Sequence, residues 1–420
     1  MRLKQSTRAR IEEVATPVLA PERDLSLDTP PKVANRRAFI GFFLIGVLIS
    51  TPATTLLVWN YHLQPPYWVI GGHFLSFALG VLLTMRTARL LLNRLGTHRL
   101  LAISSLVAAI GIVLPEFSLP PVTAALRHAS FAILGLALGG IMAAAFQMVQ
   151  RLYEHDAAAT ANVSSGLIGL GALVPALFSA LSYSWTEFRG LFLLLALVPM
   201  GAAVILFRQT PAPEPLGTDL GFVDVLREFR SPVHLLFAAL LFFETAAELS
   251  VVQWTPLHLV LGSGMSPSAA LYFLAFYCLA LLTGRFAAQA ILRRYSHRRL
   301  LLASAAMSWM GISILSSATN FTGAALGLSL AAFGFSFVYP LLVERIGSRF
   351  REYHSSAFHG VFGLGMLGGF LAPALIGFWA ALSDQASAMI LPLWCSLLVF
   401  LLLLLLWVES KFNATQVARS

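Results

Sequence analysis

Long apolar runs separated by short polar segments make up most of this 420-residue chain. A helix needs about 20 apolar residues to cross the hydrocarbon core of a bilayer, and twelve stretches come close to that length or exceed it. They lie at residues 38–60, 67–90, 99–116, 124–150, 157–183, 188–208, 232–260, 266–292, 299–317, 321–346, 354–382 and 385–408. The pattern predicts an all-α polytopic membrane protein with 12 transmembrane helices.

One longer hydrophilic segment, residues 209–231, divides the runs into six and six. It predicts two six-helix bundles, at 38–208 and 232–408, joined by a cytoplasmic central loop. Residues 1–37 are polar, with several prolines and mixed charge, which favours a disordered cytoplasmic tail. Residues 409–420 form a short cytoplasmic C-terminal tail in the same interpretation.

Arginines in the short loops indicate the orientation, because cytoplasmic loops of membrane proteins carry an excess of basic residues. With the N-terminus inside, the outside loops hold only Arg127 and Arg189. The inside loops then hold Arg86, Arg89, Arg94, Arg99, Arg151, Arg208, Arg227, Arg230, Arg293, Arg294, Arg298, Arg299, Arg345, Arg349 and Arg351. This bias predicts that both termini are cytoplasmic.

Composition narrows the functional classes. The chain is 58% hydrophobic and 11% charged, whereas soluble domains are about 25% charged. The net charge of +9 comes from loop arginines, so it indicates topology rather than nucleic-acid binding. Cys278 and Cys395 lie in apolar runs, which argues against a disulfide framework or a zinc site. We find no P-loop, no metal-ligand spacing and no Ser-His-Asp arrangement, so the sequence predicts neither an enzyme nor a cofactor.

Two basic loops resemble each other 200 residues apart. NRLGTHRL at 93–100 and RRYSHRRL at 293–300 each lie between the second and third run of their half. Repeated halves joined by a central loop are typical of alternating-access transporters.

The first of these loops also carries a degenerate family motif. In RLLLNRLGTHR, residues Arg94, Gly96 and Arg99 fit the basic loop G-x-x-x-D-R-x-G-R-R of the major facilitator superfamily, and Asn93 stands where the acid belongs. GLIGLGALVPAL at 166–177 is similar to the glycine-rich fifth helix of that superfamily. The resemblance implies two pseudo-symmetric six-helix bundles, the major facilitator fold, and a gating or packing role for the loop.

The second half resembles the fucose permease group, the fucose/glucose–proton symporters, more specifically. AAELS at 246–250 places Glu248 on the group's helix-7 glutamate, and FYCLALLTGRFAAQ at 276–289 is similar to its helix 8. SFVYP at 336–340 loosely matches helix 10, and GGFLAPALIG at 368–377 matches helix 11. Group members carry acids in helices 1 and 4, whereas the corresponding runs here have none. Coupling through a glutamate in the second half is the remaining expectation.

Glu244 and Glu248 are the strongest candidates for chemistry, because both lie deep in the seventh run. Four residues apart, they share a helix face. Each ionised acid costs about 2.5 to 3.5 kcal/mol at the centre of a membrane helix. A wet cavity, a cation or a bound proton must relieve that cost. We predict proton coupling through Glu248 with Glu244 beside it, at a position where the group tends to have an aromatic residue. A structural pair with an arginine is the alternative.

Arg285 in the eighth run is the natural cation. It lies a turn or two from the cytoplasmic end, whereas Glu248 lies near the midplane. This difference in depth argues against a direct pair. Arg285 could snorkel to the cytoplasmic interface, form another structural pair, bind an anionic substrate or take part in gating.

Weaker candidates are polar or aromatic residues that could line a central cavity: Gln147, Asn162, Trp254, Tyr277 and Tyr339. The two amides could hydrogen-bond a polyol, and the aromatic rings could stack on a sugar. Packing between helices is the alternative for each of them. A site that joins Glu248 to Trp254 would need a helix break near Pro256. His73 in the second run favours a packed or hydrogen-bonded residue over a proton relay.

The prediction is a secondary active transporter that moves a small polar solute, possibly a sugar, by alternating access with proton coupling. A proton-driven exporter of drug-like or amphipathic compounds is the main alternative. A membrane receptor or scaffold is a third hypothesis, which a large soluble domain would support. We expect a monomer in the bacterial inner membrane, whose partners are the lipid bilayer, the solute and protons.

Overall fold

The computed structural model describes residues 32–117, 123–155, 157–183, 190–208, 232–292, 294–349, 360–383 and 388–417. Residues 1–31 of the predicted tail and the predicted central loop lie outside this part. The helices are α1 (Lys32–Val58), α2 (Tyr67–Val113), α3 (Thr123–His155), α4 (Ala157–Tyr183), α5 (Leu191–Phe207), α6 (Pro232–Ser263), α7 (Pro267–Leu292), α8 (His297–Ser316), α9 (Phe321–Arg349), α10 (Gly360–Leu382) and α11 (Ile390–Val417).

Helix α2 contains the second and third predicted runs and is interrupted at Gly96, whose φ of 74° and ψ of 161° are not helical. A residue with a β-carbon is strained there, whereas glycine is not. Contacts with α3 show that the chain reverses at this residue. Before the break the contacts rise along α3, from His73 with His128 to Thr84 with Leu136. After it they fall, from Ser104 beside Gly140 to Gly111 with Ser130. The arms therefore run in opposite directions along α3.

This reversal accounts for twelve membrane crossings. Ten of the described helices are long and apolar enough to cross a membrane, and α5 is a shorter apolar helix of 17 residues. Since α2 crosses twice, the total agrees with the predicted twelve. The fold is therefore all-α and polytopic, as the apolar runs predict. Helix α11 continues to Val417, past the predicted end of the last run.

We call the side on which α1 begins the terminal side and the opposite side the far side. The two halves meet closely on the far side, near the start of α2 and the end of α10. A β-carbon at Gly377 would lie 2.6 Å from the backbone nitrogen of Gly71. The rings of Trp68 and Phe378 pack beside this contact, with centroids 5.4 Å apart. Larger side chains at the two glycines would keep the helices apart.

Deeper in the molecule, α6 connects the halves by its own side chains. Gln253 donates from Nε2 to the carbonyl of Ile49 on α1 at 2.8 Å. The ring of the next residue, Trp254, lies 5.8 Å from the ring of Phe74 on α2. Helix α6 also packs tightly on α10, where Thr245 bonds to the carbonyl of Gly365 at 2.7 Å. These contacts fix the face that α6 presents to its neighbours.

Candidate functional site

Glu248 on α6 and Arg285 on α7 form a buried ion pair. Nη2 of Arg285 lies 3.0 Å from Oε1 of Glu248, and their side chains are 4% and 11% exposed, respectively. The expectation that depth would separate the two residues was therefore wrong. We call Glu244, Glu248 and Arg285 the acid site.

The direction of the two helices explains the pair. The backbone of Glu248 lies about 24 Å along α6 from its start, and that of Arg285 lies about 10 Å before the end of α7. The start of α6 and the end of α7 lie on the same side of the membrane. Helical side chains lean towards the N-terminus of their own helix. Because α6 and α7 are antiparallel, Glu248 leans towards the terminal side and Arg285 towards the far side. The two long side chains therefore approach each other.

Arg285 also contacts the first half of the chain. Its Nη1 donates to the backbone carbonyl of Ser165 on α4. A β-carbon at Gly169, one turn further along α4, would lie 3.5 Å from the same Nη1. The guanidinium is thus shared between a carboxylate of one half and a carbonyl of the other. Its Nε is buried with no acceptor.

Glu244 lies one helical turn before Glu248 and is fully buried. Neither of its carboxyl oxygens makes a well-formed hydrogen bond with a described residue, although the carboxyl of Glu248 lies close enough to interact with it. Arg285 also interacts electrostatically with Glu244. Two buried carboxyl groups thus lie near one guanidinium, which pairs with Glu248 and makes no such contact with Glu244. Without a bound proton the acid site carries a net charge of −1 in a buried environment, and with one proton it is neutral.

Tyr277 on α7 is the other predicted residue that the structure brings to the acid site. It is 1% exposed, and no described residue forms a hydrogen bond with its hydroxyl. Electrostatic interactions connect it with Glu248, Glu244 and Arg285. The hydroxyl can donate a hydrogen bond to a carboxylate or to a solute that enters between α6 and α7.

Trp254 lies away from the acid site. Its indole N–H donates to the carbonyl of Pro373 on α10 at 3.0 Å, and the side chain is 1% exposed. Helix α6 continues through Pro256 to Ser263 as one element. The break that a joint site of Glu248 and Trp254 would need is absent from α6. Packing is the role that these contacts support for Trp254.

The remaining polar candidates are distributed over three helices. Asn162 lies one turn before Ser165 on α4, and its Oδ1 is buried with no partner. Gln147 on α3 and Tyr339 on α9 are half-buried. Tyr339 packs against both hydrophobic clusters of the core. Of these residues, Asn162 lies nearest in sequence to the contact between Arg285 and α4.

The predicted basic loop lies at the break in α2. Asn93, Arg94, Gly96 and Arg99 are all exposed. Asn93 and Arg94 line a shallow surface groove together with Arg86, Arg89 and Leu90. The loop therefore presents a basic surface on the terminal side.

Sequence reasoning missed two polar contacts between the halves. One is the backbone carbonyl of Ser165, which no side-chain pattern reveals. The other is Gln253, whose signal was visible as an amide inside an apolar run. Its Oε1 and the nearby hydroxyl of Thr255 on α6 are both buried with no hydrogen-bond partner among the residues described.

A family model described as the Major Facilitator Superfamily matches residues 38–373. The chain belongs to the major facilitator superfamily. It is therefore a multi-pass membrane transporter with the major facilitator fold, two pseudo-symmetric bundles of six helices, as the loop motif and the 6 + 6 pattern predict. Transport, rather than enzymatic catalysis, is the function that this family indicates.

Similar proteins fall into two groups, one similar in sequence and the other similar in structure. An uncharacterized MFS-type transporter of Yersinia pestis is 26% identical over 327 residues, which cover 76% of this chain and 82% of that protein. The similar solved structures share the fold at low identity. The fucose:proton symporter FucP of E. coli has a TM-score of 0.61 at 15% identity, covering 89% of this chain and 98% of that one. A D-xylose-proton symporter has a TM-score of 0.65 at 15% identity, covering 88% and 96%.

Proposed function

We propose that this chain is a proton-coupled secondary transporter that moves a small polar solute, of which a monosaccharide is the first candidate, by alternating access. One observation carries the proposal: the buried ion pair of Glu248 and Arg285 has a second buried carboxyl group, that of Glu244, one helical turn away. A net charge of −1 inside a membrane protein is costly, and one bound proton removes it. The symporters with a similar fold are named for fucose and D-xylose, which supports testing sugars first.

Arg285 connects proton binding at the acid site with the contact between the two halves. Its guanidinium holds Glu248 in the second half and the Ser165 carbonyl in the first half. Loss of the proton leaves two carboxylates that compete for the guanidinium. This competition weakens the hydrogen bond from Arg285 to the carbonyl of Ser165. Protonation therefore changes a contact between the halves, and such a contact must open and close during alternating access.

Transport in proteoliposomes tests this proposal. Labelled fucose, xylose and glucose are offered with and without an inward proton gradient, and solute counterflow is measured without a gradient. In Glu248→Gln, Glu244 can pair with Arg285 with no need for a proton. We therefore expect gradient-driven accumulation to be lost while counterflow persists.

Glu344→Gln is the matched control, because it makes the same chemical change at a partly exposed acid beside His297 on the terminal side. It should accumulate solute as the unchanged protein does. Accumulation that survives Glu248→Gln unaltered would show that coupling does not pass through this residue.

Export of amphipathic compounds is the second candidate. Aromatic contacts between α2 and the second half favour it: Phe74 packs on Trp254, and Phe77 lies 6.2 Å from Phe370 on α10. Such surfaces suit apolar cargo better than a sugar. Drug efflux from cells that express the protein, with no sugar uptake in proteoliposomes, would favour this function. In either case we propose a monomer in the cytoplasmic membrane with both termini inside.

A further inference from the structure

A second polar cluster lies on the far side, where α1, α2 and α3 meet. Tyr61 follows α1, His73 lies on α2, and Arg127 and His128 lie in the second turn of α3. The Tyr61 hydroxyl is 2.8 Å from Nε2 of His73, and the Nδ1 atoms of the two histidines are 3.1 Å apart. Nη1 of Arg127 donates to the Tyr61 hydroxyl at 3.1 Å. We call these four residues the basic cluster.

Arg127 packs on aromatic rings rather than against an acid. Its Cζ lies 4.5 Å from the ring centre of Trp59 and 5.3 Å from that of Tyr61. Among the described residues, no carboxylate pairs with it. Stacking on a ring uses the face of the guanidinium and leaves the N–H groups at its edge available. One of them, Nε, is buried without an acceptor in the part of the chain that the structure describes.

The hydrogen bonds of the cluster have a direction, because arginine can only donate. Burial raises the pKa of Tyr61, so the phenol keeps its proton. That proton has one acceptor among the described residues, Nε2 of His73. A neutral His73 must then carry its proton on Nδ1 and donate it to Nδ1 of His128. The same Nδ1 lies 3.3 Å from the hydroxyl of Ser76, whose proton it shares with the carbonyl of Gly72. His128 is left with an N–H at Nε2, for which no described residue supplies an acceptor.

The unused hydrogen-bonding capacity of Arg127 and His128 therefore consists of donors. It comprises N–H groups of Arg127 and the Nε2–H of His128, and both residues are partly exposed. One turn before Arg127 on the same face of α3, the hydroxyl of Thr123 is also buried, with no partner among the described residues. Clustered N–H donors around a fixed positive charge are the complement of an oxyanion.

We propose that the basic cluster is a binding site for an oxyanion, a carboxylate or phosphate group held by Arg127 and by the Nε2–H of His128. The cluster lies at the start of a membrane helix, where two sources of such a group are within reach. One is a soluble anionic solute, and the other is the headgroup of an anionic lipid. The site is independent of the proposed function, because binding to it requires neither transport nor a proton gradient.

Thermal unfolding of the purified protein tests the site, since a ligand that binds the folded state raises the unfolding temperature. In lipid-free detergent, glucuronate and inorganic phosphate are compared with glucose and with sodium chloride at equal ionic strength. In a second arm, nanodiscs of phosphatidylcholine are compared with nanodiscs that also contain phosphatidylglycerol. We expect a saturable rise of at least about 2 °C in one of the arms.

Variants tie the rise to the named donors. Arg127→Gln removes the charge and His128→Phe removes the N–H, so both should abolish the rise. His128→Gln keeps a side-chain N–H and should retain most of it. Arg94→Gln, which removes an exposed arginine on the terminal side, is the matched control and should leave it unchanged.

A rise only in detergent identifies a soluble anion, and a rise only with phosphatidylglycerol identifies a lipid headgroup. The proposal is overturned if neither anion raises the unfolding temperature above the sodium chloride control and phosphatidylglycerol does not raise it above that in phosphatidylcholine nanodiscs. It is also overturned if His128→Phe responds as the unchanged protein does, and this variant keeps the test valid should Arg127→Gln fail to fold. Neither result bears on proton coupling at the acid site.

Discussion

The acid site and the basic cluster each contain an arginine, but they surround it with opposite chemistry. Arg285 lies between two carboxyl groups and a carbonyl, and it is 3% exposed. Arg127 lies against two rings and a phenol hydroxyl, beside two histidines, and it is half-buried. One arginine has more negative partners than it can neutralise, and the other has none among the described residues. The first arrangement suits a proton and the second suits an anion.

The largest expected effect comes from removing the cation of the acid site. Arg285→Gln leaves two buried carboxyl groups with no cation among their described partners, and breaking a buried ion pair in this way costs about 3 to 5 kcal/mol. Thermal unfolding in detergent should show a marked loss of stability. The double variant Arg285→Gln with Glu248→Gln should recover part of the loss, and no recovery would contradict the assigned partnership.

A smaller effect is expected from the same substitution in the basic cluster. Arg127→Gln removes one hydrogen bond and the contacts with two rings, each worth about 1 kcal/mol, and leaves no carboxylate unpaired among the described residues. Unfolding of Arg127→Gln and Arg285→Gln under the same conditions gives the comparison directly. Equal losses would show that the two arginines are held in the same way.

The smallest effect on stability is expected at Glu244. Its carboxyl makes no well-formed hydrogen bond, so Glu244→Gln should change the free energy of unfolding by less than about 1 kcal/mol. It leaves Glu248 and Arg285 as a neutral pair, and proton-driven accumulation should fall as it does in Glu248→Gln. Full accumulation together with normal stability would assign Glu244 no part in coupling.

The sequence predicted the architecture because twelve apolar runs and one central hydrophilic segment leave few other folds. It identified Glu244, Glu248 and Arg285 separately, since charges in apolar runs are conspicuous. It wrongly separated Glu248 from Arg285, because the distance along a helix axis ignores the direction in which a long side chain leans. The contact with Ser165 uses a backbone carbonyl, which no residue type reports. His73 is hydrogen-bonded, one of the two roles that the sequence favours for it. Its partner His128 was not recognised, since the pairing depends on how α2 and α3 meet.

The ion pair between Glu248 and Arg285 also has a consequence for biosynthesis. The two residues are 37 positions apart, so the ribosome makes α6, with both acids, before it makes the cation. Alone, α6 carries two acids that each cost about 2.5 to 3.5 kcal/mol on insertion. We expect α6 to remain in contact with the insertion machinery until α7 emerges and the two helices enter the bilayer together as a hairpin.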